Sequence, residues 1–422
     1  MELRDIPMNG KRSAGEHAVR RIRPAVRKDL PANTCAPPVD LDEAPVTRPF
    51  LPPLEEFQPY LEQIWANRWL TNAGPFHQQF EEELAGYLGV DHVALTSNGT
   101  TALQLALQAL DLRGEVITTP FTFVATTHAL RACNLRPVFV DIDPKTGNLD
   151  PDRIEQAISR DTSAILPVHC YGHPCATGRI AEIAERHALK VVYDGAQAFN
   201  VRLDGQSLLR FGDASCLSFH ATKVFNTFEG GAVICADARM KARIAQLRNF
   251  GFNDTYSVEA IGTNAKMSEI QAAFGLLQLR YADQVIARRG AVAARYAAGL
   301  RQIDGVELFQ PEPGWQLNHC YFPMLLEERL ADRRDALCAL LLAAGIHARP
   351  YFWPLVTDHS VYRDLPSATA EMPVARSLAR RVLCLPLYPD LEVHHVDASI
   401  AIVREFAAEG TRGAAPCGSG VH

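Results

Sequence analysis

The sequence predicts an α/β protein built on a mostly parallel central sheet flanked by helices, followed by a smaller α+β domain. Three observations carry that expectation. From His92 onward, short apolar runs of strand length alternate with helical segments, the pattern of parallel strands joined by crossover helices. The 422 residues exceed a typical domain of ~100 to 150 residues, so a large domain and a smaller one are expected. A hydrophobic content of 47%, a charged content of 21% and a net charge of −6 describe an ordinary globular chain able to bury a core.

Residues 1–45, with basic residues from Lys11 to Lys28 and then Pro37 and Pro38, read as a disordered extension. The folded part is expected from residue 46. A helical pattern leads to NRWLTNAGP, whose Asn72, Gly74 and Pro75 mark a loop. Then come the strand HVALT, a helix from about Thr100, the strand EVITT, a helix from about Val124, the strand PVFVDI and a helix near Asp152 to Ile158. The strand AILPVH, a helix near Gly178 to His187 and the strand KVVYD complete the alternating part. ASCLSF and GAVICA extend the same sheet, and helices follow from about Arg239, Met267 and Asp283. The large domain is thus placed at residues 46–300. Residues 301–409 form the smaller domain, with a strand CYFPMLL, a helix from Asp332 to Ala344, the aromatic segment HARPYFWPLV and helices near Ala375 and His395. The tail, residues 410–422, has the Gly, Ser and Pro content of a disordered end.

Several function classes are disfavoured. A net charge of −6 offers no general attraction to nucleic acid or anionic membrane, and the basic run Arg20 to Lys28 lacks interleaved aromatics and lies near Glu16. Apolar runs such as Ala336 to Ala344 fall well short of the ~18 residues of a membrane span. No apolar h-region follows the basic N-terminus, so no signal peptide is expected. Ten scattered cysteines fit reduced thiols in a cytoplasm better than a disulfide framework. His169, Cys170, His173 and Cys175 in HCYGHPC invite a zinc reading, but compact zinc sites use other spacings and a second ligand pair. No metal is expected.

Three features bear on chemistry. Lys223, in SFHATKVFNTFEGG, lies between a strand and a Gly-rich turn, where apolar neighbours can desolvate an amine and favour Schiff-base formation. Taken alone, a lysine is far more often a solvated charge. Asp194 ends KVVYD at what should be the ligand-bearing carboxyl edge of the sheet, where it can protonate a pyridine nitrogen or merely cap the next turn. Gly99, Thr100 and Thr101 in SNGTTALQLAL open a helix directly after a strand, a site for a phosphate or an ordinary capped start.

With these in place, the chain resembles the DegT/DnrJ/EryC1/StrS sugar aminotransferases over roughly residues 50–408. The likeness rests on SNGTTALQLAL, PFTFVATTHAL, PVFVDID, PVHCYGHP, VVYDGAQAFN, SFHATKVFNTFEGGA and GTNAKMSEIQAA, in the family's order. It implies the fold-type I aspartate-aminotransferase architecture and the cofactor pyridoxal 5'-phosphate. On this resemblance Lys223 carries the cofactor as a Schiff base, Asp194 faces the ring nitrogen, Gln197 lies near the ring hydroxyl and Phe123 stacks on the ring. Thr100, Thr101 and Ser218 hold the phosphate, and Asn264 or Lys266 reaches across to a neighbouring subunit's phosphate, which implies a homodimer.

The resemblance further implies transfer of an amino group from L-glutamate to a nucleotide-linked ketosugar. The form SFHATK points to C4 of a dTDP-4-keto-6-deoxyhexose, with C3 of a dTDP-3-keto-6-deoxyhexose as the alternative. Substrate contacts are expected from RWLTNAGP, from the HCYFP run with His319 and Tyr321, from RPYFWP with Arg349 and Tyr351, and from His220. Related dehydratases carry histidine in place of the lysine, so Lys223 speaks against dehydration. A non-catalytic sensor or scaffold is disfavoured because every expected catalytic position is filled. The family's similar PVH and YGHP turn holds no metal.

Overall fold

The computed structural model describes residues 43–253 and 257–412. The expected N-terminal extension, save residues 43–45, and the tail beyond residue 412 lie outside these described residues. Helices α1 (Leu54–Asn67) and α2 (Pro75–Leu88) precede β1 (Val93–Thr96), α3 (Gly99–Ala109), β2 (Glu115–Thr118), α4 (Ala125–Ala132) and β3 (Arg136–Phe139). Next come β4 (Thr162–Leu166), α5 (Thr177–Arg186), β5 (Lys190–Asp194), the small hairpin β6 (Arg202–Leu203) and β7 (Gln206–Ser207), β8 (Ala214–Ser218) and β9 (Gly231–Cys235). Helices α6 (Ala238–Leu247), α7 (Glu269–Leu279) and α8 (Ala282–Leu300) lead to β10 (Val306–Leu308), β11 (Trp315–Gln316) and β12 (Phe322–Leu326). Helices α9 (Arg334–Ala343) and α10 (Pro373–Arg381), β13 (Val382–Leu385) and α11 (Val393–Arg412) finish the chain.

The main sheet has the order β1-β9-β8-β5-β4-β2-β3. Every strand runs parallel except β9, which is antiparallel to both its neighbours. Alternate residues of each strand serve opposite faces, which is why the strands read as continuous apolar runs. Ala94, Val116, Ala164, Val192, Cys216 and Val233 pack against α3, α4 and α6. Ile117, Ile165, Val191 and Tyr193 pack against α5. On the same sheet, Val93, Leu95, Leu217 and Ile234 meet α1, α2 and α7.

A second sheet, β10-β12-β13, is antiparallel and packs on α8, α9 and α11. Its core draws Tyr296 and Leu300 from α8, so the packing begins before residue 301. It also draws Ala44, which bridges Ile346 and is fully buried, so order starts before residue 46.

The helix expected near Asp152 to Ile158 is instead two 3₁₀ turns, Pro151–Arg153 and Glu155–Ala157. The segment is too short to repay helix nucleation, and the Asp150 carboxylate draws the Asp152 N–H into a tight cap at 3.0 Å. Among the described residues no helix is long and apolar enough to cross a membrane.

Three buried histidines tie this fold to pH. Burial depresses His77 to about 4, with the Arg248 charge adding to it, His173 to about 4 and His169 to about 3. As pH falls from 6.5 toward 4 the unfolded chain takes up these protons and the folded chain does not, so stability must fall. The urea midpoint is expected to drop steadily between pH 7 and pH 5, each histidine contributing a slope of up to ~1.4 kcal/mol per pH unit. His77→Gln should flatten that slope; an unchanged slope would refute the assignment for His77.

Candidate active site

Parallel strands end at a common edge, and in this sheet β5 and β8 deliver their last residues, and β1 the turn that follows it, to one cavity of roughly 630 Å³. Asp194, the last residue of β5, lies on its wall and is 6% exposed. Its Oδ2 accepts the Thr126 hydroxyl at 2.8 Å and its Oδ1 accepts the Ala196 N–H at 3.1 Å. Burial still pushes the carboxyl above its ordinary range, against the pull of those two bonds and of the Lys223 charge. Lys223 comes from the turn between β8 and β9, half-buried, with its N–H donating to the His220 carbonyl at 2.9 Å. Both side chains line the same cavity.

The start of α3 forms another wall. Asn98 caps the helix by accepting the Thr101 N–H at 2.8 Å, while the Thr101 hydroxyl returns to the Asn98 backbone. That hydroxyl is therefore engaged in the cap, and the unpaired first-turn N–H groups of Gly99 and Thr100 are the free donors of this end. Ser218, ending β8, closes on this turn. A Cβ on Gly99 would lie 2.7 Å from Ser218 Cβ, and one on Gly231 would lie 2.6 Å from the Asn98 carbonyl carbon. Only glycine at both positions lets the helix start sit this close to the strands.

Phe123 presents an aromatic face to the cavity, with 63% of its surface exposed. Gln197 is buried, and its Oε1 accepts the Tyr171 N–H at 2.6 Å, leaving the Nε2 donors for the cavity. His220, Tyr321 and Tyr351 also line it.

Three expected residues do not line the cavity of this chain. Asn264 bridges Asn249 through the backbone, and its Oδ1 accepts the Lys266 ammonium at 2.7 Å. His319 adopts a positive φ of 52° with its ring beside Gly290. Arg349 is drawn into an antiparallel bridge with Cys384. The RWLTNAGP loop is also apart from it. That loop is held by Glu269, whose N–H donates to the Leu70 carbonyl at 3.0 Å and whose carboxylate accepts the Phe76 and His77 N–H groups at 2.9 Å.

Both histidines of HCYGHPC make contacts within the fold. His169 Nδ1 accepts the Cys175 N–H at 3.1 Å and its ring stacks on Tyr193, while His173 Nδ1 meets the Thr146 carbonyl at 3.2 Å.

Sequence reading missed Thr126, Asn98, Thr222, Glu229 and Phe352. Thr126 had a usable signal, because it lies in the first turn of the helix that follows Phe123. Asn98 had one too, as an Asn directly before a helix start, and Phe352 lies in the segment RPYFWP expected to contact substrate; Thr222 and Glu229 had none beyond their place in SFHATKVFNTFEGG.

Residues 54–404 match the DegT/DnrJ/EryC1/StrS aminotransferase family. The chain belongs to that family. It is an aminotransferase, and its cofactor is pyridoxal 5'-phosphate. This aminotransferase is 49% identical to the dTDP-4-amino-4,6-dideoxy-D-glucose transaminase of Shigella dysenteriae, over 86% of this chain and 98% of that one. It superposes on the crystal structure of DesI in the presence of its TDP-sugar product with a TM-score of 0.84 and 39% identity, covering 89% and 96% of the two chains. It likewise resembles NtdA from Bacillus subtilis with bound cofactor PMP, with a TM-score of 0.77 and 30% identity over 85% and 82%. The donor set of the cavity fits such a cofactor. A buried acid with a raised pKa suits a cationic ring nitrogen, an open aromatic face suits a planar ring, and a helix start suits a phosphate.

Thr126→Val keeps the side-chain shape but removes the hydroxyl that Asp194 accepts. Loss of a hydrogen bond to a charged group, worth ~1.5 to 3 kcal/mol, should lower kcat by about ten- to a hundredfold. Thr126→Ser should restore most of it. A wild-type kcat in the valine variant would show that Asp194 does not depend on this bond.

Proposed function

We propose that this aminotransferase moves an amino group from L-glutamate to C4 of a dTDP-linked 4-keto-6-deoxyhexose, as a cytoplasmic homodimer. The single observation that carries the substrate is the 49% identity, across 98% of its length, to a dTDP-4-amino-4,6-dideoxy-D-glucose transaminase. When bound, pyridoxal 5'-phosphate supplies an electron sink for the negative charge that develops at the donor's α-carbon. The chain's own residues do the rest.

Lys223 anchors the cofactor covalently through Nζ. Once displaced by the donor's amine, the same nitrogen would take the proton from the donor's α-carbon and deliver it to the cofactor carbon on the other side of the donor nitrogen. Asp194, uncomfortable as an isolated buried anion, holds a proton on the ring nitrogen and gains a cationic partner by doing so. Gln197 directs its free Nε2 donors at the ring hydroxyl, and Phe123 covers one ring face. The N–H groups of Gly99 and Thr100, with the Ser218 hydroxyl, seat the phosphate. Tyr321, Tyr351 and His220 on the cavity wall would orient the ketosugar so that its carbonyl faces the site where the amino group is exchanged.

Two observations support a pocket completed by a second copy. Asn264 and Lys266 lie away from this chain's own cavity, where a residue serving a neighbour would lie. Nearby, Ile261 is 94% exposed and Val258 59%, and Phe250 and Phe228 are close to half exposed, an apolar area that water does not favour. Glutamate as donor rests on the resemblance alone.

Borohydride reduction of the cofactor-loaded protein, followed by peptide mapping, should place the cofactor on Lys223, and Lys223→Ala should lose turnover by at least about a thousandfold. Cofactor trapped elsewhere would refute that role. With dTDP-, GDP- and UDP-linked ketosugars and glutamate, NMR of the product should locate the new amine at C4 of the dTDP sugar. An amine at C3 would favour the alternative and exclude this one. Light scattering should give twice the chain mass.

A further inference from the structure

We propose that Asn318 is a positioning residue of this reaction, setting Gln197 against the cofactor ring and joining it to the turn that carries Tyr321. The inference rests on reading Gln197 as the partner of the ring hydroxyl.

Asn318 is 1% exposed and lies in the turn before β12, more than a hundred residues from Gln197. Its Nδ2 donates to the Gln197 carbonyl and to the Phe199 carbonyl, both at 2.9 Å, and its Oδ1 accepts the Cys320 N–H at 3.0 Å. A primary amide is the group that can donate twice and accept at the same place. With the backbone oxygen of Gln197 held by Asn318 and the side-chain oxygen held by the Tyr171 N–H, only Nε2 remains to face the cavity. The loop cannot turn its amide without breaking one of these bonds.

The turn that carries Asn318 is itself fixed. His319 holds a positive φ of 52°, a conformation that non-glycine residues adopt only when their surroundings demand it. Arg289, from α8 and 2% exposed, donates Nε to the His319 carbonyl at 2.9 Å and Nη2 to the Cys320 carbonyl at 2.8 Å. Gly172, at φ +85°, leaves room on the other side, since a Cβ there would lie 2.8 Å from the Gln197 carbonyl oxygen and 3.0 Å from Asn318 Oδ1. Cys320 packs with Val224, the residue after Lys223, and the next residue, Tyr321, lines the cavity. One turn thus sets the ring amide, the neighbourhood of the lysine and a substrate-facing tyrosine.

A purely structural amide would change stability without a particular link to Gln197. The apoprotein titrated with pyridoxal 5'-phosphate separates the two in a double-mutant cycle. Gln197→Ala should weaken binding by about tenfold and shift the visible absorption band of the bound cofactor. Asn318→Ala should do the same in the wild-type background and add less than about twofold in the Gln197→Ala background. Asn318→Ser, which keeps one donor and disturbs folding less, should fall between. Equal losses in both backgrounds, or folded Asn318 variants with wild-type affinity and absorption, would overturn the proposal. Wild-type affinity and absorption in Gln197→Ala would instead overturn the role of Gln197 on which it rests.

Discussion

The site depends on a carboxylate held at the buried end of a parallel strand. Leaving such a group unmet costs several kcal/mol, so the segments around it have to provide donors or a cation. Asp194 receives a hydroxyl from α4, an N–H from its own turn and the distant charge of Lys223, and burial still outweighs all three. These groups converge because β5 lies at the centre of the sheet between β4 and β8. Strand order therefore sets the chemistry: the loop after β8 brings the lysine, and the loop after β2 brings Phe123 and leads into α4 with Thr126. In the role proposed for Asp194, a cationic ring nitrogen would relieve the remaining strain on the acid. On that proposal, cofactor binding and the neutralisation of Asp194 would be one interaction seen from two sides.

The phosphate end of the cavity obeys a different constraint, that of backbone approach. Helix α3 begins where β8 and β9 leave no space for a Cβ at residue 99 or 231. The helix start is thereby pressed against Ser218, so that backbone N–H groups and a hydroxyl face one point. Because the Thr101 hydroxyl is committed to the cap, side-chain substitution there would unsettle the helix start before it touched a ligand.

Much of this was legible in the sequence because it is local. Each strand of the main sheet is a short apolar run, and Asp194, Ser218 and Thr100 sit at strand ends or a helix start, with Lys223 and Phe123 in the loops that leave strands β8 and β2, where position along the chain predicts position in space. What could not be read is long-range or depends on a neighbour. Asn318 finds Gln197 only after the chain has crossed the whole large sheet, and nothing beside it in sequence announces the meeting. Arg349 looks like a free cation among aromatics, yet its backbone is needed by Cys384. Asn264 lies off the cavity of its own chain, so a single sequence can place it only through resemblance. The two 3₁₀ turns after Asp150 carry a helical pattern that is too short to become a helix.

Two aspartates show how the same local pattern reaches opposite ends. PVFVDID and VVYDGAQ both place an acid at the carboxyl end of a buried strand, and the sequence offers no reason to treat them differently. In the folded chain, the Asp141 carboxylate accepts the N–H groups of Ile142 at 2.9 Å, Val374 at 3.0 Å and Ala375 at 2.8 Å. It thus caps α10 and pins the segment that follows Tyr351 to the edge of the large sheet, where the Val356 N–H also reaches the Pro120 carbonyl at 3.0 Å. Its oxygens are taken up by backbone donors and nothing is left to offer a ligand. Asp194 receives one backbone donor and one hydroxyl, and faces open space. The difference between a structural and a chemical aspartate lies in how many donors the surrounding chain withholds.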